Sequence, residues 1–316
     1  MTTYSRPPTT MALATVSEST SRSRLAREWR DWALFVALVG PNLLLFGLFN
    51  YRPLVYNAYL SLHDWNMISP LADWVGLTNY REAFTSPSFG KVLVNTFVLM
   101  GGSVATTLVI GLALALLLNQ PLRGRNASRS ILFAPHILSG AAIGVVWVFI
   151  FDPNYGLFRQ FLAPLGLTSP NFLRDPNWAM FAVVLVYAWK NVGYTLVIFL
   201  AGLQAIPREL YEAATTDGAN AWHRFRHVTI PGLSPITFFL LVTGVLFSFQ
   251  TFDVIHVMTR GGPVDATTTL VYYLYEQGFV GFNAGRAGVS AVVLFILMFI
   301  ITVLQVRYVE RRVSYG

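Results

Sequence analysis

The sequence predicts an all-α integral membrane protein with six transmembrane helices, on the basis of its composition and the length of its apolar blocks. Hydrophobic residues make up 54% of the 316 residues and charged residues only 12%, whereas soluble domains carry roughly 25% charged residues. Several apolar blocks approach or exceed the ~20 residues that a helix needs to cross a bilayer. The blocks are continuous rather than alternating, which argues against a β-barrel.

Six apolar blocks stand out, and each is long enough to cross a membrane as a helix. A helix is the expected structure because it satisfies its own backbone hydrogen bonds in lipid. The blocks are residues 32–48 with an apolar continuation toward residue 62, then 92–118, 131–151, 178–203, 235–252 and 287–306. The second block contains no charged residue, whereas the fourth contains one, Lys190.

The distribution of basic residues predicts the orientation of the chain. The loop 119–130 contains Arg123, Arg125 and Arg129 and no acidic residue. Because cytoplasmic loops are enriched in Lys and Arg, both termini are expected in the cytoplasm. Residues 1–30, rich in Ser, Thr and Arg, are expected to form a largely disordered cytoplasmic tail, and residues 31–316 the transmembrane domain. The net charge of +7 then reflects topology, and no nucleic-acid partner is expected.

No motif in the sequence points to catalysis. The absence of cysteine excludes a disulfide, a zinc–thiolate site and an Fe–S cluster. Gly-rich phosphate loops, HExxH and GxSxG patterns are also absent, so the chain is expected to be neither an enzyme nor an ATP hydrolase, with no metal or cofactor of its own. His136 is expected to be a packing or helix-end residue. Asp253 is interpreted as an external gate residue or a helix-end charge.

The segment 207–235, between the fourth and fifth blocks, has the pattern of a small helix–turn–helix hairpin. Glycine permits a sharp backbone reversal, proline begins helices, and residues three or four apart share a helical face. Pro207 predicts the start of the first helix, and Leu210, Ala213 and Ala214 predict its apolar face. Asp217 and Gly218 predict the turn. A second short helix follows with Trp222 and Phe225 three residues apart. Small residues at the tip permit the close approach of another protein.

This segment resembles the EAA motif of bacterial ABC-importer permeases. The matching positions are Glu212, Ala213, Ala214, Asp217, Gly218, Ala219, Phe225, Val228, Ile230 and Pro231. In that family the hairpin is a cytoplasmic coupling helix that docks in a groove of the ATP-binding subunit. The resemblance implies that Glu212 pairs with a basic residue of the ATPase, that Gly218 makes the turn, and that the alanines fill the groove.

The resemblance extends from about residue 30 to the end of the chain, and it is to permeases of the sugar and glycerol-3-phosphate (MalF/UgpA-like) type. Segments 52–62, 152–157 and 261–270 are similar to that family, and segments 261–279 and 307–310 most resemble its glycerol-3-phosphate permeases. The implied fold is the type I ABC importer (MetI-like) bundle. The implied function is ATP-driven uptake of glycerol 3-phosphate or glycerophosphodiesters by alternating access.

A substrate pathway is expected around the fourth and fifth blocks, because intramembrane ionisable residues are functional candidates. Tyr187, Asn191 and Tyr194 share a helical face, with Lys190 beside them. Lys190 would offset a phosphate charge; in the alternative interpretation it pairs with a carboxylate or a helix end and only holds the bundle together. Resemblance to maltose-type permeases adds further cavity residues from the fifth block, namely Gly244, Phe247, Ser248 and Thr251.

The resemblance also implies the partners of the chain in a bacterial inner or plasma membrane. They are a second homologous permease, two copies of an ABC ATPase that binds ATP and Mg²⁺, an extracytoplasmic solute-binding protein and membrane lipid. Two alternatives stay open. A neutral mono- or oligosaccharide is an alternative substrate for the same class of transporter. A stand-alone secondary transporter is an alternative class, and it gives the hairpin no role.

Overall fold

The computed structural model describes residues 14–309, which divide into two compact units at Tyr56 and Asn57. The first unit contains α1 (Ala14–Phe46), a π-helical turn (Gly47–Tyr51) and the beginning of α2 (Arg52–Leu60). Its apolar side chains are exposed; Leu38, for example, is 78% exposed, as expected of a helix that faces lipid. Residues 1–13 of the predicted N-terminal tail lie outside the described residues, and the boundary at residue 30 stays a prediction.

The second unit is helical apart from one short antiparallel pairing of β1 with β2 among its described residues, with His63 opposite Trp74. Its elements from α2 onward are β1 (His63–Asp64), β2 (Asp73–Trp74), α3 (Thr78–Thr85), α4 (Pro87–Leu118), α5 (Arg125–Ile137), α6 (Gly140–Ile150), α7 (Leu157–Leu162), α8 (Pro176–Ala205), α9 (Arg208–Thr216), α10 (Ala221–Arg224), α11 (Ile230–Gly232), α12 (Ser234–Phe249), α13 (Asp253–Met258), α14 (Leu270–Tyr275) and α15 (Ala284–Leu304). The all-α fold is therefore confirmed.

The apolar blocks predicted from the sequence all form helices in the structure. Four segments of the described chain are long and apolar enough to cross a membrane: Trp32–Leu60, Pro87–Leu118, Pro176–Ala205 and Ala284–Arg307. Two further pairs satisfy the same test as bent segments, α5 with α6 and Ala221–Gly232 with α12. The described chain thus has up to six spans, in agreement with the six that the sequence predicts.

The third block departs from the continuous helix that was expected over residues 131–151. It breaks into α5 and α6, which meet at an angle of 103°. Leu138 and Ser139 have extended backbone conformations, with ψ of 150° and 134°. Pro135 precedes the break, and it lacks the N–H with which a helical residue would bond one turn back. The fifth block is also shorter than expected, because α12 ends at Phe249 rather than at residue 252.

Glycines bring the helices of the second unit close together, as is usual where lipid provides no hydrophobic driving force between helices. A Cβ built on Gly111 of α4 would lie 2.6 Å from Thr195 Cγ2 of α8. A Cβ built on Gly193 of α8 would lie 2.0 Å from the Leu132 carbonyl oxygen of α5. The helix α8 is therefore held against α4 and α5 at distances that only glycine permits.

Candidate functional site

The break between α5 and α6 carries the first candidate site. In a continuous helix the backbone N–H of residue 140 would donate a hydrogen bond to the His136 carbonyl. This bond is missing because the chain becomes extended at Leu138. Lys190 of α8 supplies the missing donor, with its Nζ 3.3 Å from the His136 carbonyl oxygen. Lysine side chains commonly bond the last carbonyls of a helix, where the dipole also favours a cation. The half-buried Lys190 forms no ion pair with a carboxylate among the described side chains, those of residues 29–30 and 32–307.

The ring of His136 is held on two sides by α8. Its Nδ1 lies 3.1 Å from Asn191 Oδ1, and its plane stacks on Tyr194 with 4.9 Å between ring centroids. Asn191 is itself fixed, because its Nδ2 donates to the Tyr187 carbonyl oxygen at 2.9 Å. The structure thus brings Lys190, Asn191 and Tyr194 together around His136.

Tyr187, one turn before Asn191, faces the fifth block. Its side chain is 8% exposed and lies beside the side chains of Thr251 and Asp253. Tyr187 therefore links α8 to the segment that follows α12. In this conformation its phenol contacts another side chain of the protein rather than open space.

The four predicted pathway residues of the fifth block lie in different surroundings. Phe247 is 54% exposed, whereas Ser248 is 2% exposed and donates its Oγ proton to the Val245 carbonyl oxygen at 2.8 Å. Thr251 donates to the Phe247 carbonyl oxygen at 3.3 Å. A Cβ on Gly244 would be 3.6 Å from Val104 of α4. Thr251 lies beside Tyr187 of α8, and the pathway role of all four residues stays a prediction.

Two residues that the sequence did not place in the pathway lie at the break. His136 is the centre of the cluster just described, and Asp253 packs directly against Gly140 at the start of α6. The available signal was the combination of Pro135 with Ser139-Gly140 inside an apolar block, which indicates a helix interruption. A break exposes polar backbone ends, and polar side chains are then needed to satisfy them.

The second candidate site is the predicted hairpin, whose helices are α9 and α10. Gly218 has φ of +80°, the left-handed conformation that ends a helix without strain only for glycine and a few polar residues. Asn220 begins α10 by accepting a hydrogen bond from the His223 backbone N–H at 2.9 Å. The Arg224 guanidinium bonds Thr215 Oγ1 at 2.9 Å and so ties the two helices together.

The hairpin presents mostly exposed residues. Glu212, Ala213, Asp217 and Gly218 are exposed, whereas Ala214 and Phe225 are half-buried. The Glu212 carboxylate forms no ion pair with any side chain of residues 29–30 and 32–307, where side chains are described. Two large apolar side chains of the same segment are also exposed, Trp222 at 63% and Leu210 at 51%. Exposed apolar side chains beside an unpaired carboxylate are typical of a surface that binds another protein.

The described part of the chain, residues 14–309, contains no group of three or more histidines, aspartates or glutamates that could hold a metal ion. The two sites therefore consist of hydrogen-bonding, aromatic and charged side chains. Such groups bind and position a solute or a protein.

Residues 107–315 match the family described as binding-protein-dependent transport system inner membrane components. The chain belongs to this family. It is a membrane-embedded, non-catalytic permease subunit of an ABC importer, in agreement with the resemblance found in its sequence.

Similar proteins in several bacteria carry one name, the sn-glycerol-3-phosphate transport system permease protein UgpA. The protein of Pectobacterium atrosepticum is 37% identical over 290 residues, which cover 90% of this chain and 96% of the relative. That of Agrobacterium fabrum is 37% identical, with 88% and 95% covered. That of Escherichia coli O157:H7 is 35% identical, with 94% and 99% covered.

Solved structures support the same fold. A bacterial ABC transporter involved in the import of the acidic polysaccharide alginate contains a chain that is 25% identical, with a TM-score of 0.79 over 91% of this chain and 99% of that one. The alginate transporter in complex with its alginate pentasaccharide-bound periplasmic protein gives a TM-score of 0.78 at 24% identity, with 91% and 97% covered.

Proposed function

We propose that this permease takes up sn-glycerol 3-phosphate or glycerophosphodiesters by ATP-driven alternating access. The observation that carries the substrate assignment is Lys190, a cation within a membrane-spanning helix that has no carboxylate partner among the described residues. An unpaired charge in the membrane is costly unless it faces water or an anion. A phosphorylated solute would supply that anion, and relatives 35–37% identical are named for sn-glycerol 3-phosphate.

The proposed pathway runs along the face of α8 that carries Tyr187, Lys190, Asn191 and Tyr194, opposite Phe247, Ser248 and Thr251. Lys190 would bind the phosphate, because an ammonium group is a compact cation suited to it. Hydroxyl and amide groups would bind the glycerol hydroxyls. The aromatic rings would cover its carbon backbone.

The proposed coupling site is the hairpin of α9 and α10. Its exposed Glu212 would pair with a basic residue of an ATPase subunit, and the exposed Ala213 with the half-buried Ala214 would let the partner surface approach closely. Asp217 and Gly218 form the turn, and the half-buried Phe225 packs against Trp222 after it, with 5.6 Å between ring centroids. Closure of the ATPase around ATP and Mg²⁺ would move the hairpin, and α8 and α12, which flank it in the chain, would move with it.

The proposed assembly contains a second permease homologous to this chain, two ATPase subunits and an extracytoplasmic solute-binding protein, within a bacterial inner membrane. A binding-protein partner is supported by the family description, and a similar transporter has been seen with its periplasmic protein. Both termini would be cytoplasmic, since loop 119–130 carries three arginines and no acidic residue.

A saccharide substrate is the second candidate, and the alginate importer favours an acidic one. Lys190 would serve an acidic sugar as well as a phosphate, so the two candidates differ in the solute rather than in the class of transporter. A stand-alone secondary transporter is disfavoured because it gives the exposed hairpin no partner.

Reconstitution tests the proposal. The permease, its partner subunits and its binding protein would be placed in proteoliposomes, and ATP-dependent uptake of radiolabelled sn-glycerol 3-phosphate would be compared with uptake of a neutral disaccharide. We expect saturable uptake of glycerol 3-phosphate and stimulation of ATP hydrolysis by the binding protein loaded with it. Uptake of the disaccharide alone would overturn the substrate assignment, and uptake that needs no ATPase would overturn the class.

A further inference from the structure

We infer that His136 is a specificity-determining residue of the transport pathway, and that its Nε2 accepts a hydrogen bond from a hydroxyl group of the transported solute. The inference rests on the proposed function, since it assigns to His136 the hydroxyl end of a solute whose anionic end meets Lys190. The observation behind it is the way in which α8 holds the imidazole ring.

The tautomer of His136 follows from a chain of hydrogen bonds. A backbone carbonyl only accepts, so the Asn191 group that lies 2.9 Å from the Tyr187 carbonyl must be the amide NH₂. Asn191 therefore turns its Oδ1 toward His136. An oxygen of this kind also only accepts, so the His136 Nδ1, 3.1 Å away, carries the proton and donates it.

The other ring nitrogen is then an acceptor. A neutral imidazole protonated at Nδ1 has a lone pair on Nε2. This nitrogen hydrogen-bonds to none of the described side chains and backbone groups, and because His136 is half-buried and its Nε2 is not fully enclosed, the lone pair can be reached from outside the protein. An accessible acceptor on a ring that is fixed by Asn191 and stacked on Tyr194 is suited to recognise a donor of defined position.

The neighbouring ammonium group of Lys190 indicates the chemical class of the solute. Lys190 Nζ donates to the backbone carbonyl oxygen of His136 at 3.3 Å. The ammonium group therefore lies beside the same residue whose ring carries the acceptor nitrogen. A small solute that reaches both needs an anionic group and a hydroxyl group a few ångströms apart. Phosphorylated polyols have this combination, whereas an alkyl phosphate lacks the hydroxyl and a free polyol lacks the anion.

Two substitutions separate solute recognition from packing. In His136→Gln the amide oxygen takes approximately the place of Nε2, whereas in His136→Asn the amide takes approximately the place of Nδ1 and the distal acceptor is lost.

The assembled transporter in proteoliposomes would be measured for uptake of sn-glycerol 3-phosphate and for ATP hydrolysis stimulated by the loaded binding protein. We expect His136→Asn to lower uptake about five- to tenfold, the effect of one lost hydrogen bond, and His136→Gln to retain at least half of it. Stimulated ATP hydrolysis should stay within about twofold in both variants, because the inferred role is in solute recognition rather than coupling.

Contrary results are readily recognised. Equal uptake by both variants and the wild type would overturn the inference. Loss of uptake in His136→Gln with retention in His136→Asn would show that only the bond to Asn191 matters, and a parallel loss of ATP hydrolysis would show a structural role. If the wild type imports a neutral sugar and not glycerol 3-phosphate, the proposed substrate fails, while the same two variants still test the hydroxyl contact with that sugar.

Discussion

Gly140 and Asp253 lie so close that a methyl group on Gly140 would be 1.8 Å from Asp253 Oδ2. Gly140 is the first residue of α6, and Asp253 is the first residue of α13. The Asp253 carboxylate also accepts the backbone N–H of Val254 at 2.9 Å. The partial positive charge at the start of α6 favours a carboxylate in this place. The break in the third block thus has an anion at the start of α6 and a cation, Lys190, at the end of α5.

Substitution of Gly140 by alanine should destabilise the second unit. The added methyl group overlaps Asp253, and overpacking of this kind costs about 1–3 kcal/mol. The expected result is a lower unfolding temperature of the purified transporter in detergent. The double variant with Asp253→Ala should recover part of the loss, because the overlapping group is then absent and the two effects are not additive. Additive losses would contradict the contact.

Gly193→Ala should damage transport, whereas Gly101→Ala should not. A methyl group on Gly193 would be 2.0 Å from the Leu132 carbonyl oxygen, which is backbone and cannot rotate away. Nothing lies within 4 Å of a methyl group on Gly101, which makes it a matched control within a long apolar helix. We expect uptake by Gly193→Ala to fall at least about tenfold, equivalent to about 1.4 kcal/mol. Equal uptake by the two variants would show that α5 does not cross α8 so closely.

Lys190→Ala should lower uptake while leaving the assembled complex intact. Lys190→Gln distinguishes the two roles of this residue, because glutamine can donate to the His136 carbonyl but carries no charge. If the charge binds the solute, we expect uptake by both variants to fall at least about tenfold, with normal yields of the complex in size-exclusion chromatography. Normal uptake by Lys190→Gln would instead favour a purely structural cap, as would loss of assembly in Lys190→Ala.

Gly218→Val should uncouple transport from ATP hydrolysis, whereas Gly218→Asn should largely preserve coupling. The φ of +80° at this position is costly for a β-branched residue and tolerated by asparagine. Valine would therefore move the turn between α9 and α10. The measurement is ATP hydrolysis stimulated by the loaded binding protein, together with co-purification of the ATPase subunit. Full stimulation in Gly218→Val would argue against a coupling role for the hairpin.

The positions of the apolar helices could be predicted from the sequence because membrane spans require long uncharged runs. The hairpin could also be predicted as a helix–turn–helix, since Pro207, Asp217 and Gly218 are local signals. The sequence analysis missed the break after Ile137, because residues 131–151 form one apolar run. Pro135 with Ser139-Gly140 is a local signal for an interruption, but it does not give the 103° angle between the two helices. The prediction that His136 is a packing or helix-end residue agrees with its place in the last turn of α5. Its partners could not be predicted, because Lys190 and Asn191 lie more than 50 residues away in the chain.

The 103° bend also determines what can surround the third block in a bilayer. At 1.5 Å per residue, α5 is about 20 Å long and α6 about 17 Å, so each is shorter than the ~30 Å hydrocarbon layer. If the pair forms one span, we expect the two half-helices to meet within the hydrocarbon layer, where acyl chains cannot solvate free carbonyl or amide groups. Lipid must be kept away from Leu138 and Ser139, which are exposed in the isolated chain. We therefore expect protein or water, rather than lipid, to cover this part of the surface in the assembled transporter.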